Sequence, residues 1–414
     1  MGGTGVPPPR VTAPDRAYPR LPAPDRACPC LPVPGRRPAV AARAYGGAMA
    51  TTVSREQVLA FRIRAQQLDR TAGSLADTAV LDLGVQDTGP DGGPWALALR
   101  GVDVGSVPER ELSTVWSLRG APHLYRRADL PSVAAAVQPF SEADATKRIL
   151  NASKPLKAAG ITSLGGLDTV AEQMRAIVTE PLVKGAVSTA LTGRLGEAYL
   201  HYCRPCGATH CYEMTFRLGA LRGGLELAPG TSPPVLQRIP GHPPLASPLP
   251  QHDVIRACLR LLGPTTPRDT AGFLEAPLKD VTARWPEDTE QVQVGGEQRW
   301  VLADGLPALR DADATTTRLL GSFDLFLQGR DRDLLVAQPD RAKALWPRLG
   351  RPGAVLLGRE VAGLWRPRKS GSRLDVAVTP WRRLSRAELA ALSEQAERLA
   401  AHRGVRLGSV SFSD

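Results

Sequence analysis

Two groups of residues in this sequence have types and spacing suited to chemistry. The first is Cys203, Cys206 and His210, a Cys-x2-Cys-x3-His run with His201 just before it and Cys211 just after. Thiolates and imidazole are the ligands that tetrahedral zinc prefers, so these three are candidate metal ligands. Structural zinc sites usually pair two such clusters, and one is present here. The alternative is a loop pinned between two helices by small buried side chains. The second group is basic. Arg366, Arg368, Lys369 and Arg373 crowd a predicted hairpin beside Trp365, and Arg382 and Arg383 follow beside Trp381. Guanidinium groups there suit phosphate oxygens, and indoles suit stacking on a base, which makes the hairpin a candidate DNA-binding surface. A solvated sheet face with its tryptophans in the core is the other reading. No P-loop, GxGxxG, GxSxG or HExxH pattern occurs, which argues against nucleotide-dependent enzymes, α/β-hydrolases and zincin proteases.

Charge places these groups in context. The 414 residues carry 52 Lys+Arg and 41 Asp+Glu, a formal net charge of +11. Most of that excess lies in two places, the first 49 residues and the block 341–386, while the body between them is slightly acidic. A local basic excess favours an anionic partner such as nucleic acid. No stretch approaches the ~20 apolar residues that a membrane span needs. Six cysteines are too few for a disulfide-stapled scaffold, so a reducing, cytoplasmic setting is expected. No motif calls for a cofactor.

The elements that must position these residues read as follows. Residues 1–48 are rich in proline and arginine and hold a ten-residue repeat (APDRAYPRLP, APDRACPCLP). Proline at that density blocks helices and ladders, so this is expected to be a disordered arm. It either touches phosphates or is dispensable, with translation starting at Met49. Ser54 and Gln57 form a capping box for a helix to about residue 70. A second helix is predicted over 75–83, a helical turn over 108–114, and short strands at 115–118 and 123–125. In the middle block, helices are predicted over 167–178, 181–191 and 212–222, then strands at 225–227 and 235–239. The clearest pattern lies at 251–303: three short amphipathic helices, then an alternating hairpin turned by Gly295-Gly296. That is the order of a helix-turn-helix with a wing, a unit that serves either DNA grooves or protein contacts. Strands at 354–357, 361–365 and 373–378 then suggest a small sheet or barrel, followed by a helix capped by Ser385 and Glu388.

The fold class expected is therefore α+β: tandem winged helix-turn-helix domains around separate small cores, then a small C-terminal antiparallel β-barrel. The boundaries are an arm at 1–48, winged helices at 49–140, 141–245 and 246–310, and a basic barrel with a terminal helix at 311–414.

Five segments together resemble the winged-helix DNA glycosylases of the AlkZ/YcaQ type, which remove alkylated bases and unhook interstrand crosslinks. They are residues 83–88 (LGVQDT), 116–129 (WSLRGAPHLYRRAD), 203–210 (CRPCGATH), 320–330 (LGSFDLFLQGR) and 353–365 (GAVLLGREVAGLW). The resemblance implies a DNA repair hydrolase acting on double-stranded DNA. It also implies catalytic roles for Gln86 and Asp87, and DNA contacts for Arg119 and His123. A core role for His123 within the wing is equally compatible. The family's catalytic pattern is Gln, apolar, Gln before Asp, and Gly84 stands here in place of the first glutamine. An N-alkylated purine is already cationic and leaves readily, so the enzyme's task is to place a water at the sugar carbon. Two amides can grip that water. With one missing, either Asp87 acts as base or electrostatic partner, or the protein is a catalytically inactive DNA-binding or regulatory protein. A protein-interaction module is the third class, for which the basic block is merely solvated.

Overall fold

The first helix is fixed by its own sequence. Ser54 Oγ accepts from the Gln57 N–H at 3.2 Å, and Gln57 Oε1 accepts from the Ser54 N–H at 2.8 Å. This reciprocal cap satisfies two donors left over at the start of the Arg55–Ala65 helix. The structure is a computed structural model that describes residues 51–413 apart from Asp91 and Pro243. The arm expected over 1–48, with Cys28 and Cys30, lies outside the described residues.

The pattern read at 251–303 forms as expected. Asp253 caps Val254–Leu262, and Thr266 caps Pro267–Leu274, which opens on proline. Leu278–Thr282 is the third helix. Strands Thr289–Val294 and Glu297–Leu302 pair around Gly295 and Gly296, both at positive φ. One strand was not foreseen. Thr51–Val53 joins the hairpin in parallel, with Thr51 opposite Val292.

Two expected helical stretches are not helices. Residues 75–83 run as turns with one 3₁₀ turn at Ala79–Asp82. Their backbone is claimed by side chains: Asp77 Oδ1 accepts from the Ser74 N–H, and Gln67 Oε1 accepts from the Ala79 N–H. Residues 108–114 make a 3₁₀ turn at Glu109–Glu111, and the chain then enters the strand Leu112–Trp116.

The cores do not follow the expected boundaries. The hairpin of Leu112–Trp116 and Pro122–Arg126 belongs to a six-stranded sheet. That sheet also takes in Leu225–Leu227, Val235–Arg238 and Leu182–Val183, and Thr114 pairs with Leu227 across the expected boundary at 140. An edge strand carries unpaired N–H and C=O groups, and this pairing satisfies them. Buried Glu226 fixes the join by accepting from Ser113 Oγ and from Arg127. Residues 75–124 and 254–302 likewise share one apolar cluster.

The C-terminal sheet has five strands in the order Thr316–Leu320, Gly353–Gly358, Glu360–Ser370, Arg373–Pro380, Arg406–Phe412. It is an open, curled half-barrel rather than a closed barrel, and it is not wholly antiparallel. The chain leaves Arg373–Pro380, crosses through the Arg386–His402 helix and returns parallel to it. A helical crossover between neighbouring strands imposes that direction. The apolar face of the sheet packs on Leu59, Ile63, Leu68 and Trp95 from the start of the chain. Trp95 and Trp365 donate to the carbonyls of Leu319 and Leu320, both at 2.8 Å. Arg100 makes a bidentate, buried pair with Asp324. Removing one partner of such a pair typically costs about 3–5 kcal/mol, because the other charge is left buried. Among the described residues, no helix is long and apolar enough to cross a membrane.

Candidate active site and nucleic-acid interface

The short strand Val85–Gln86 pairs with Pro122–Arg126, which puts Gln86 opposite His123. Between the two hairpin strands the chain turns at Ser117–Gly120, where Arg119 holds a positive φ of 58°. That turn aims a partly buried guanidinium at three carbonyl-type acceptors. Arg119 Nη2 donates to Gln86 Oε1 at 3.1 Å and to Gln328 Oε1 at 2.5 Å, and Nη1 donates to the Phe273 carbonyl at 3.1 Å. The guanidinium carbon lies 4.7 Å from the centre of the Phe273 ring. Burial lowers the Arg119 pKa to about 10, with the charge of nearby Arg330 acting in the same direction. It still carries its proton at neutral pH.

A guanidinium only donates, so it fixes both amides with their oxygens inward and their NH2 groups outward. Gln86 Nε2 then donates to Thr88 Oγ1 at 3.1 Å, and Gln328 Nε2 donates to the Phe323 carbonyl at 2.6 Å. Four segments distant in sequence thus meet at one guanidinium: 86–88, the 117–120 turn, the end of the Pro267–Leu274 helix, and the loop after Leu325–Leu327.

Position 84 is explained by the same hairpin. Gly84 has φ of 89°, and a Cβ there would stand 2.4 Å from the Tyr125 ring. The ring is held by its hydroxyl, which donates to the Leu83 carbonyl and accepts from Ser117 Oγ. No side chain fits at 84. A second amide, that of Gln328, is bound by the same guanidinium as Gln86, and the second polar group beside Gln86 is Thr88. Neither was singled out from the sequence. Gln328 lies in the segment 320–330 that carried part of the resemblance, yet nothing local marks it as a partner of Gln86.

Asp87 does not share this cluster of hydrogen bonds. Its Oδ1 accepts from the Gly93 N–H at 2.9 Å, at the start of the Gly93–Ala98 helix. Burial raises its pKa, opposed by that hydrogen bond. His123 departs from the expected phosphate contact. It is 2% exposed, with Nδ1 against the Ala121 carbonyl at 2.9 Å. Burial, then the nearby charge of Arg119, pushes its pKa down to about 3. It is a neutral core imidazole, because a charged one there would be desolvated beside a cation. Arg119 has three hydrogen bonds within the protein, to the two glutamines and the Phe273 carbonyl.

Basic side chains continue from this cluster. Arg330 lies next in the chain but one after Gln328 and donates to the Gly272 carbonyl. Arg332 stacks 4.8 Å from the Trp346 ring, and Arg351 stacks 5.2 Å from Phe323. Burial lowers the pKa of both arginines, and each also feels the charge of Arg330. Arg366 donates to the carbonyl of Gly350, beside Arg351, at 3.0 Å. The predicted hairpin carries Arg366, Arg368, Lys369 and Arg373 on exposed positions, while Trp365 is buried in the core. Arg368 and Arg373 are tempered by Asp375, which sits opposite Arg368 and 3.4 Å from Arg373. Arg382 is tied to Glu388 at 2.5 Å. Beside Arg330, a cleft of about 660 Å³ opens between Thr266, Asp269, Arg299 and Trp300.

Among the described residues, two groups have the makings of a metal site. Cys203, Cys206 and His210 bring their ligand atoms within 4.8 Å of one another on a hairpin of Leu200–Cys203 and Ala208–Cys211. Cys211 ends that hairpin, facing the interior, before the Glu213–Arg222 helix. Asp82, Asp129 and His252 also converge. Their positive charge is already supplied by Arg126, which bridges Asp82 and Asp129, and by Arg260 on Asp82.

Comparison with known proteins fits this arrangement. The family described as "DNA glycosylase AlkZ-like" matches residues 80–402. Among solved structures, the chain is similar to the Streptomyces sahachiroi DNA glycosylase AlkZ, with a TM-score of 0.66 at 22% identity, covering 88% of this chain and 100% of that one. No curated protein matches the sequence.

Proposed function

The chain belongs to the AlkZ-like DNA glycosylase family, and from that premise we propose that it hydrolyses the N-glycosidic bond of an alkylated purine in double-stranded DNA. The observation that carries this reading is the single guanidinium of Arg119 holding the amides of Gln86 and Gln328 side by side. With its orientation set, Gln86 keeps a free lone pair on Oε1 and a free N–H on Nε2. Thr88 Oγ1, which accepts from Gln86, keeps its own proton to donate. A water gripped by these groups is positioned for the sugar carbon, which is the main help a cationic leaving base requires. Arg119 itself does not stabilise the developing positive charge, since like charges repel. Its role is positioning. Asp87, turned to Gly93, holds the 87–93 loop in register and supplies a negative field to the sugar cation when ionised.

The partner is duplex DNA. In this reading Arg330, Arg351 and Arg366 contact phosphates around the amide cluster, and Arg368, Lys369 and Arg373 extend that surface outward. The three helices and hairpin of 254–302, flanked by the Thr51–Val53 strand, serve as a winged helix, and the chain works inside the cell. The experiment is base release from duplex DNA carrying N7-methylguanine. Expected is release by the wild type, strongly slowed in Gln86→Ala and less so in Gln328→Ala, with DNA binding retained. DNA binding without release by the wild type overturns hydrolysis and leaves a catalytically inactive DNA-binding protein.

A further inference from the structure

We propose that the hairpin of residues 200–211 is a binding site for a soft divalent cation, with zinc the natural occupant, held by Cys203 Sγ, Cys206 Sγ and His210 Nε2. Nothing in the proposed reaction uses these residues, and the site stands or falls apart from it.

The register makes the site. Cys203 ends the first strand and pairs with Ala208, so His210, two residues along the return strand from Ala208, lies on the same face as Cys203. Cys206 sits in the turn between them, where Gly207 takes a positive φ of 63° and its N–H bonds back to the Arg204 carbonyl. Two thiols and an imidazole are thus delivered by eight residues. Around a tetrahedral zinc, bond lengths of about 2.0–2.3 Å place neighbouring ligand atoms about 3.3–3.8 Å apart. The three atoms here already lie within 4.8 Å, and small side-chain rotations close the rest.

The imidazole is prepared for one role. His210 Nδ1 lies 2.8 Å from the Cys211 carbonyl. A carbonyl only accepts, so Nδ1 carries the proton and Nε2 keeps its lone pair, the arrangement that metal-binding histidines show. His201, opposite His210, packs edge-on to its ring at 4.8 Å and stacks on Tyr212 at 4.5 Å, and it does not join the three converging ligand atoms. That leaves the fourth position to water, which the exposure of Cys206 permits.

The hairpin is anchored at its base by Cys211 and Leu200, but its turn end has little apolar cover. It is a sheet of two strands only, and Tyr202 on it is 64% exposed. A two-stranded hairpin with little apolar cover is marginal in water, and a metal clip supplies what packing does not. The other described thiols offer no competing site: Cys211 and Cys258 are buried in separate cores.

The test is metal content of the full chain, purified under reducing conditions without chelators, by elemental analysis. About one zinc per chain is expected in the wild type. It falls to near zero in Cys206→Ser and His210→Ala, which alter exposed or half-buried hairpin positions and leave the core intact, and it stays at about one in Cys258→Ala. Replacing zinc with cobalt is expected to give the intense thiolate-to-metal absorption and the red-region bands of a tetrahedral ion, both absent from Cys206→Ser. A wild type with well under one zinc and no cobalt absorption overturns the proposal, as does zinc retained by both hairpin variants.

Discussion

The Arg119 cluster and the Cys203–His210 hairpin are opposite ways of building a site. The hairpin draws its three groups from eight consecutive residues at a surface turn, with Cys206 exposed and the other two half-buried. The cluster draws Gln86, Arg119, Phe273 and Gln328 from segments spread over more than half the chain, and Arg119 donates a hydrogen bond to each of the other three. A site built locally depends on little beyond its own turn. A site assembled across several elements inherits the stability of all of them, and any loosening of the fold reaches its geometry.

That contrast can be broken most sharply at Gln86. Gln86→Ala is expected to slow base release about 100-fold or more, the scale of losing a group that positions a water, with Tm unchanged because the side chain is half-buried and polar. Gln328→Ala follows at about tenfold, since the amide it removes touches Gln86 only through Arg119. These are checked by single-turnover release on N7-methylguanine DNA. Equal release by both variants and the wild type would dissolve the cluster as a site.

Position 84 tests whether a local repair can stand in for a distant partner. Gly84→Gln puts an amide where the family pattern has one, yet it drives a Cβ into the Tyr125 ring at a positive φ. Destabilisation of about 1–3 kcal/mol is expected, measured by thermal or urea unfolding, with no gain in base release.

What the sequence shows and hides follows the same line. Capping boxes at Ser54 and Ser385, the three helices of 254–282 and the hairpin closed by Gly295-Gly296 are legible, because each is decided by residues a few positions apart. The metal-ligand spacing is legible for the same reason. The pairing of Thr114 with Leu227, the Thr51–Val53 strand and the parallel return of Arg406–Phe412 are not, because their partners are set by tertiary packing. His123 is left open in the sequence for a related reason. An imidazole suits a phosphate or a core, and only the packed hairpin buries it. Gly84 reads as a loss in the sequence and as a steric requirement in the fold.

The surface around the cluster gives a smaller, graded effect. Arg330→Gln, Arg351→Gln and Arg366→Gln are each expected to reduce the slope of log K for DNA against log salt by about 0.9, and Arg382→Gln, tied to Glu388, to leave it unchanged. Titrations at several salt concentrations measure this directly.

The last effect is one of pH. His123 stays neutral in the fold down to about 3, whereas in the unfolded chain it protonates near its ordinary value of about 6.5. Between those values the unfolded state binds the extra proton. Stability is therefore lost as pH falls through that window, by at most about 1.4 kcal/mol per unit from this residue. Urea unfolding at pH 7.5, 6 and 5 is expected to show a shallower dependence in His123→Phe.

The central claim is that Arg119 works through the glutamines it holds. A double-mutant cycle on single-turnover base release, with Gln86→Ala, Arg119→Gln and the pair combined, tests it most directly. The account predicts that the double variant is no slower than Gln86→Ala alone. Effects that multiply, or a wild type that releases no base, would contradict it.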